Sequence, residues 1–363
     1  MSLSFDAYQT RRHILPLDGL RALAILGVLL HHTRDKPFYF VHGFRGVWLF
    51  FVISGFLITT LALREETHTG ALDLKAFAVR RAFRILPLYY LTLAMYCCWV
   101  FVWHMEPHED RFAAHLWNYV FYTPEFPIFA YDFNIPFGQT WSLGIEEKFY
   151  LVWPLVAFWI FARSPYRFAA TLLLWVAGLA LTFRGGELAQ MWGSYTDILT
   201  GCLLAQLLHR RESYQRIAIL GRPAWTWSCM TLLGLMALWN GWNGQVGERF
   251  FAITAALVLA AVVTNVREPA TYLSHPWLRT VGRWSYAIYL THALVIHLIN
   301  PYFPETKLGN YLSLLGTLSV VLPLCWLLHI AFERPLIDLG RRLSRSQEAA
   351  AESIAPEEKA ISS

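Results

Sequence analysis

Apolar blocks about as long as a bilayer is thick recur along this 363-residue chain, and each is bounded by charge or by Pro and Gly clusters. Ten such segments stand out, at about 14–32, 46–63, 85–103, 143–162, 168–183, 192–208, 225–242, 250–266, 284–299 and 311–332. They specify an all-α polytopic membrane bundle of about ten transmembrane helices. Composition agrees: 56% of residues are hydrophobic and only 15% charged, against about 25% charged in a soluble domain. A soluble globular protein and a disordered chain are both excluded.

An even number of spans puts both termini on one side. Assigning each Lys and Arg to alternating loops leaves 22 of the 30 with the N-terminus and 8 on the other face, so the positive-inside rule places both termini in the cytoplasm. The net charge of +5 is thereby spent on topology, and nucleic acid is not expected as a partner. Cys97, Cys98, Cys202, Cys229 and Cys325 all lie in apolar stretches without metal-ligand spacing and read as small core residues. No metal is expected. Arg11 and Arg12 before the apolar run 22–30 resemble a signal peptide, but no small-x-small site follows, and an uncleaved first span is expected. The one long outer connection, about 104–142, carries Trp117, Tyr119, Phe121, Tyr122, Phe126, Phe129, Tyr131 and Phe133. Its aromatic residues suit the headgroup belt better than a sugar-stacking surface. Residues 1–342 form the membrane domain, and 343–363, rich in Ala, Glu and Ser, are expected to be a disordered cytoplasmic tail.

Ionisable residues inside spans are costly enough to be functional candidates by default. The first span holds Asp18 and Arg21 at i, i+3, then His32 eleven residues after Arg21. Eleven residues turn to within about 20° of whole turns and rise about 16 Å, so Arg21 and His32 share a helix face, one near the cytoplasm and one near the outer end. That separation is comparable to an extended phosphopantetheine arm; the plain alternative is an Arg21–Asp18 structural pair and an interfacial histidine. His31 points about 100° away. In the second span Gly46, Ser54 and Gly55 permit close helix approach, with Arg45 at the outer mouth. Arg80, Arg81 and Arg84 crowd one short helix before Pro87, as a phosphate clamp or as topology-setting charge.

The fourth span runs inward from the outer face, so Glu146 and Glu147 are expected near its outer end, level with His32. They read either as a capping cluster with Lys148 or as carboxylates that orient the histidine for general-base work. Trp141, Ser142 and Tyr150 of that segment, together with Asp18, Arg45 and His292, make up the candidate substrate-binding residues. Tyr289 and His292 could equally hydrogen-bond within the bundle, and Glu333–Arg334 reads as an interfacial pair.

Four passages in order carry a family resemblance: Leu17-Asp-Gly-Leu-Arg-Ala with His32 after ten intervening residues, Phe50-Phe-Val-Ile-Ser-Gly-Phe-Leu, Arg80-Arg-Ala-Phe-Arg-Ile-Leu-Pro, and Trp141-Ser-Leu-Gly-Ile-Glu-Glu-Lys-Phe-Tyr-Leu-Val-Trp-Pro. From Leu17 to Pro335 the chain resembles acyltransferase family 3, integral-membrane acyltransferases that include bacterial O-acetylases of lipopolysaccharide, exopolysaccharide and other glycans. The resemblance implies transfer of an acyl group, usually acetyl, from cytoplasmic acyl-CoA to a hydroxyl of a glycan or lipid-linked saccharide at the extracytoplasmic face, in the inner membrane. It makes His32 the essential histidine, Arg21 its basic partner, and Arg80, Arg81 and Arg84 the cytoplasmic arginine motif that binds the CoA co-substrate. His32 would take the hydroxyl proton, assisted by Glu146 or Glu147; no compelling nucleophile for an acyl-enzyme is present. Many relatives fuse a hydrolase-like domain after the last span. Only 28 residues follow Pro335, so any second transfer is expected to need a separate partner. The competing readings are a transporter of a small anionic or acylated substrate, for which symmetric mid-membrane helix breaks are not seen, and a non-catalytic channel or scaffold, in which the Arg21–His32 spacing would be idle.

Overall fold

The computed structural model describes residues 2–11, 13–33, 39–104, 109–130, 135–185, 187–239 and 244–344. A short surface helix α1 (Phe5–Thr10) precedes α2 (Leu15–His32), α3 (Arg45–Thr69) and α4 (Leu74–Cys97). Then come the short α5 (Glu109–Val120) and α6 (Glu125–Ala130), followed by α7 (Trp141–Leu155), α8 (Arg167–Thr182) and α9 (Glu187–His209). After α10 (Arg211–Ile217) the chain forms α11 (Pro223–Leu238) and α12 (Gln245–Thr264). The small α13 (Ala270–Leu273) and α14 (Pro276–Arg283) lead into α15 (Ser285–Ile299) and α16 (Lys307–Leu328).

Each of the ten apolar segments coincides with one of these helices. Four are long and apolar enough to cross a membrane by length and composition: Arg45–Thr69, Leu74–Val102, Val246–Thr264 and Lys307–Ser344. The protein is thus an all-helical membrane bundle. Of the tail 343–363, expected to be disordered, Leu343 and Ser344 are helical, Ser344 being buried and donating to the Arg341 carbonyl at 2.9 Å; 345–363 lie outside the described residues.

In lipid, apolar surface alone does not drive helices together, so small residues and satisfied polar groups hold the bundle. The tightest pairing is α3 with α9. A Cβ on Gly55 would overlap the Ile198 carbonyl oxygen, and one on Gly201 the Val52 carbonyl oxygen, so this interface tolerates no side chain at either position. On the other flank of the bundle, Gly282 of α14 lies against the backbone of Asp18, and Gly19 of α2 against that of Leu273. Buried charge is paired: Arg249 of α12 holds Asp197 of α9 at 2.7 Å and Glu248 at 3.0 Å, as isolated charges at such depth would be costly. The cysteines are free thiols set among the helices, Cys202 and Cys325 fully buried.

The outer connection departs from the expected headgroup belt. Trp117 and Phe121 are exposed and stack at 5.8 Å, but Tyr119, Tyr122, Ile135 and Phe137 are buried. Tyr131 and Phe133 lie outside the described residues. The segment folds back into the bundle because it finds polar partners there. Tyr89 donates to the Tyr119 carbonyl at 2.9 Å, and Tyr90 to that of Val120 at 2.9 Å. Glu125, fully buried, meets Lys148 at 2.5 Å, and Lys148 also donates to the Tyr122 carbonyl at 2.6 Å. A 3-10 turn, Gly138–Thr140, then starts α7 within the bundle: Gln139 donates to the Leu290 carbonyl and to Tyr96, each at 3.1 Å.

This entry depth corrects the expectation for Glu146 and Glu147. With α7 beginning beside Leu290 of α15, Glu146 and Glu147 share a cavity wall with Arg21, and His32 is not part of it.

Candidate functional site

Two adjoining cavities meet at Arg21 of α2. The first, about 120 Å³, is walled by Arg21, Arg81, Arg84, Glu146, Glu147 and Tyr150, with Ser54 and Tyr286 beside them. The second, about 70 Å³, shares Arg21, Phe50, Leu143, Glu146 and Tyr286 with the first and continues to Ser142, Ser285 and Tyr289. A chamber rich in guanidinium therefore adjoins a smaller passage that ends at Ser142, Ser285 and Tyr289, one turn of α15 short of His292; neither His32 nor His292 lines it.

The chamber is built from five helices, α2, α3, α4, α7 and α15. Arg81 projects from α4 over the ring of Tyr150, with its guanidinium carbon 4.9 Å from the centroid. Tyr150 donates to Glu146 at 3.1 Å and receives a short hydrogen bond from Ser54. Arg21 feels Arg84, Asp18, Tyr150 and Glu146 as its charged or polar neighbours. Guanidiniums opposed by fewer carboxylates make an anion site in a low-dielectric setting. Arg80 is not among the wall residues: it turns away to Glu65 of α3 in a 2.7 Å salt bridge. The three-arginine motif thus divides, with Arg81 and Arg84 facing the chamber and Arg80 bracing α4 against α3.

At the far end of the passage Tyr289 donates to the Gln139 carbonyl at 2.6 Å and receives a hydrogen bond from Ser142 at 2.7 Å. One turn further along α15 is His292, fully buried, whose Nδ1 lies 2.7 Å from the Tyr289 carbonyl and 3.2 Å from that of Ile288. His32 meets it edge to face, with ring centroids 4.9 Å apart. The Nδ1 of His32 is 2.8 Å from the Val28 carbonyl oxygen. A carbonyl only accepts, so Nδ1 carries the proton and Nε2 the lone pair; the same logic applies to His292. His32 is thus oriented by the backbone of its own helix, in the position where the sequence suggested Glu146 or Glu147.

The remaining candidates separate. Ser142, Tyr150 and Asp18 belong to the chamber, the passage or their margin. Trp141 packs edge-on against Phe129 and Phe51 at 5.1 and 5.9 Å and lines neither cavity. Arg45 is buried away from both, donating to the Met236 carbonyl and to that of Trp239 at 3.2 Å, and so closes the C-terminal end of α11. Tyr286 and Gln139 were not singled out in sequence, and Ser54 only as a small packing residue. Tyr286 precedes Tyr289 by three residues and could have been found as the next hydroxyl on that helix; Ser54 and Gln139 carry no local signal. Among the described residues no group of His, Cys, Asp or Glu could hold a metal ion.

The family model described as an acyltransferase domain, that of acyltransferase family 3, matches residues 14–330. This chain belongs to that family. It is 27% identical over 335 residues to the O-acetyltransferase OatA of Staphylococcus aureus, covering 86% of this chain and 55% of that protein. It is 31% identical over 364 residues to a Bacillus subtilis protein named "Putative peptidoglycan O-acetyltransferase YrhL", covering 92% and 56% respectively. The chain spans about half the length of the curated relatives it matches. No solved structure matches it.

Proposed function

We propose that the protein is a membrane O-acyltransferase that moves an acyl group, acetyl by its relatives' names, from cytoplasmic acyl-CoA to a hydroxyl of a glycan or lipid-linked saccharide at the extracytoplasmic face. Ten crossings with both termini inside, in the bacterial inner membrane, are part of this reading. One observation carries it. Arg21, on the face of α2 that also carries His32, walls both cavities, and the second reaches Tyr289, one turn of α15 from the His292 ring against which His32 packs.

The chemistry follows from the groups present. Arg21, Arg81 and Arg84 hold the CoA phosphates at the inner end, and the pantetheine arm lies along Phe50, Leu143 and Tyr286 toward Ser142 and Tyr289. The acceptor hydroxyl gives its proton to Nε2 of His32 as its oxygen attacks the thioester carbonyl. The carbon–sulfur bond then breaks, the ester is left on the acceptor, and the departing sulfur takes the proton from the imidazolium. The Val28 carbonyl keeps the ring in the basic tautomer throughout. Glu146 and Glu147 act on this reading at the chamber, setting the charge around the arginines, rather than on the histidine.

The test is mass spectrometry of surface glycans from cells carrying the wild-type or the His32→Ala chain. Loss of the acyl mass increment with the variant, which is still inserted in the membrane, is expected. An unchanged increment would overturn the assignment.

A further inference from the structure

Coenzyme A presents three phosphate groups in two places, a diphosphate at the pantetheine end and a separate monophosphate on the ribose 3′ oxygen. In the chamber, Glu146 and Glu147 offset much of the charge of Arg21, Arg81 and Arg84. More positive charge lies just outside. Helix α14 packs on the start of α2 with Gly282 against the Asp18 backbone, and Asp18 stands within reach of the charges of Arg21, Arg283, Arg279 and Arg84 together. Arg279 is half-buried and its Nε has no hydrogen-bond partner; Arg283 is exposed and donates to Thr280 at 3.1 Å. Among the described residues neither forms an ion pair. Neither lines the chamber; they stand beside it, because Asp18, whose charge both reach, is also within reach of two of its walls, Arg21 and Arg84.

We propose that Arg279 and Arg283 form a subsite for the ribose 3′-phosphate of the acyl donor. The subsite rests on the acyl-CoA reading above and sharpens it: the donor is the nucleotide-bearing thioester, and the phosphopantetheine thioester of a carrier protein, which lacks that phosphate, is discriminated against. Arginine suits the role because its fork geometry engages a phosphate with two donors at once. Asp18, within reach of both arginine groups, offsets the repulsion between them.

The experiment measures binding of CoA and of 3′-dephospho-CoA to the purified full-length protein in detergent micelles or nanodiscs. The wild type is expected to bind dephospho-CoA about tenfold or more weakly, the scale of one or two charge-assisted hydrogen bonds. The Arg279→Gln/Arg283→Gln variant is expected to bind CoA as weakly as the wild type binds dephospho-CoA, while its affinity for dephospho-CoA is unchanged. That unchanged affinity also reports that the variant is folded. Arg283→Lys should retain part of the preference. Equal binding of the two ligands by the wild type overturns the subsite and leaves the acyltransferase reading intact, as does equal weakening of both by the double variant. Absence of binding to either ligand overturns both.

Discussion

A histidine tied through Nδ1 to a carbonyl of its own helix has one basic nitrogen and little freedom to turn. At position 32 this makes the imidazole a base of fixed direction, and the His32→Ala chain is expected to lose about 10²- to 10⁴-fold in turnover, the usual scale of general-base catalysis, with CoA affinity unaffected. The arginines predict the opposite split. Arg81→Gln or Arg84→Gln should raise KM for the acyl donor several-fold with a smaller change in kcat, since on the proposed reading they hold phosphate remote from the reacting carbon. Arg80→Gln should instead leave KM near wild type and lower thermal stability slightly, because its partner is Glu65 at a half-exposed pair. Steady-state kinetics on the three single variants separates these outcomes. Local spacing in the sequence was enough to put Arg21 and His32 on one face. It could not say that Arg80 faces away while Arg81 and Arg84 face inward, because that depends on a carboxylate fifteen residues earlier on another helix.

Helices in this bundle are placed by small residues and by a few polar tethers. Gly55 and Gly201 let α3 and α9 touch backbone to backbone, and Gly55→Leu is expected to cost about 1–3 kcal/mol through forced separation, read as a lowered melting temperature in detergent. The ten apolar segments were legible because hydrocarbon demands long apolar runs, whatever the helices pack against. The depth at which α7 begins was not. It is set by Gln139 reaching the Leu290 carbonyl across 151 residues of sequence, and the aromatic stretch before it has a composition that serves a headgroup belt and a buried turn equally well. Tyr119 and Phe121 show the ambiguity within three positions, one fully buried and the other exposed.

For the whole molecule, the distribution of Lys and Arg leads to a proposed orientation that labelling can check. Ala113 on α5 and Arg216 on α10 are both exposed. A cysteine at 113 is expected to react with a membrane-impermeant maleimide in intact cells, and one at 216 only after permeabilisation. Equal labelling of both without permeabilisation would reject the ten-crossing arrangement.

Between the arginine chamber and the histidine pair, the contact of Ser142, Tyr289 and Gln139 is made of neutral hydroxyl and amide groups alone. It can be viewed as an insulator. On the proposed reading the CoA phosphates stay on one side of it, and what passes is an acyl group outward in exchange for a proton that returns on the sulfur. No net charge moves, so the membrane voltage does no work on the cycle. Turnover in sealed proteoliposomes should be the same with and without an imposed potential, although each charge carried across would otherwise be worth about 2.3 kcal/mol per 100 mV.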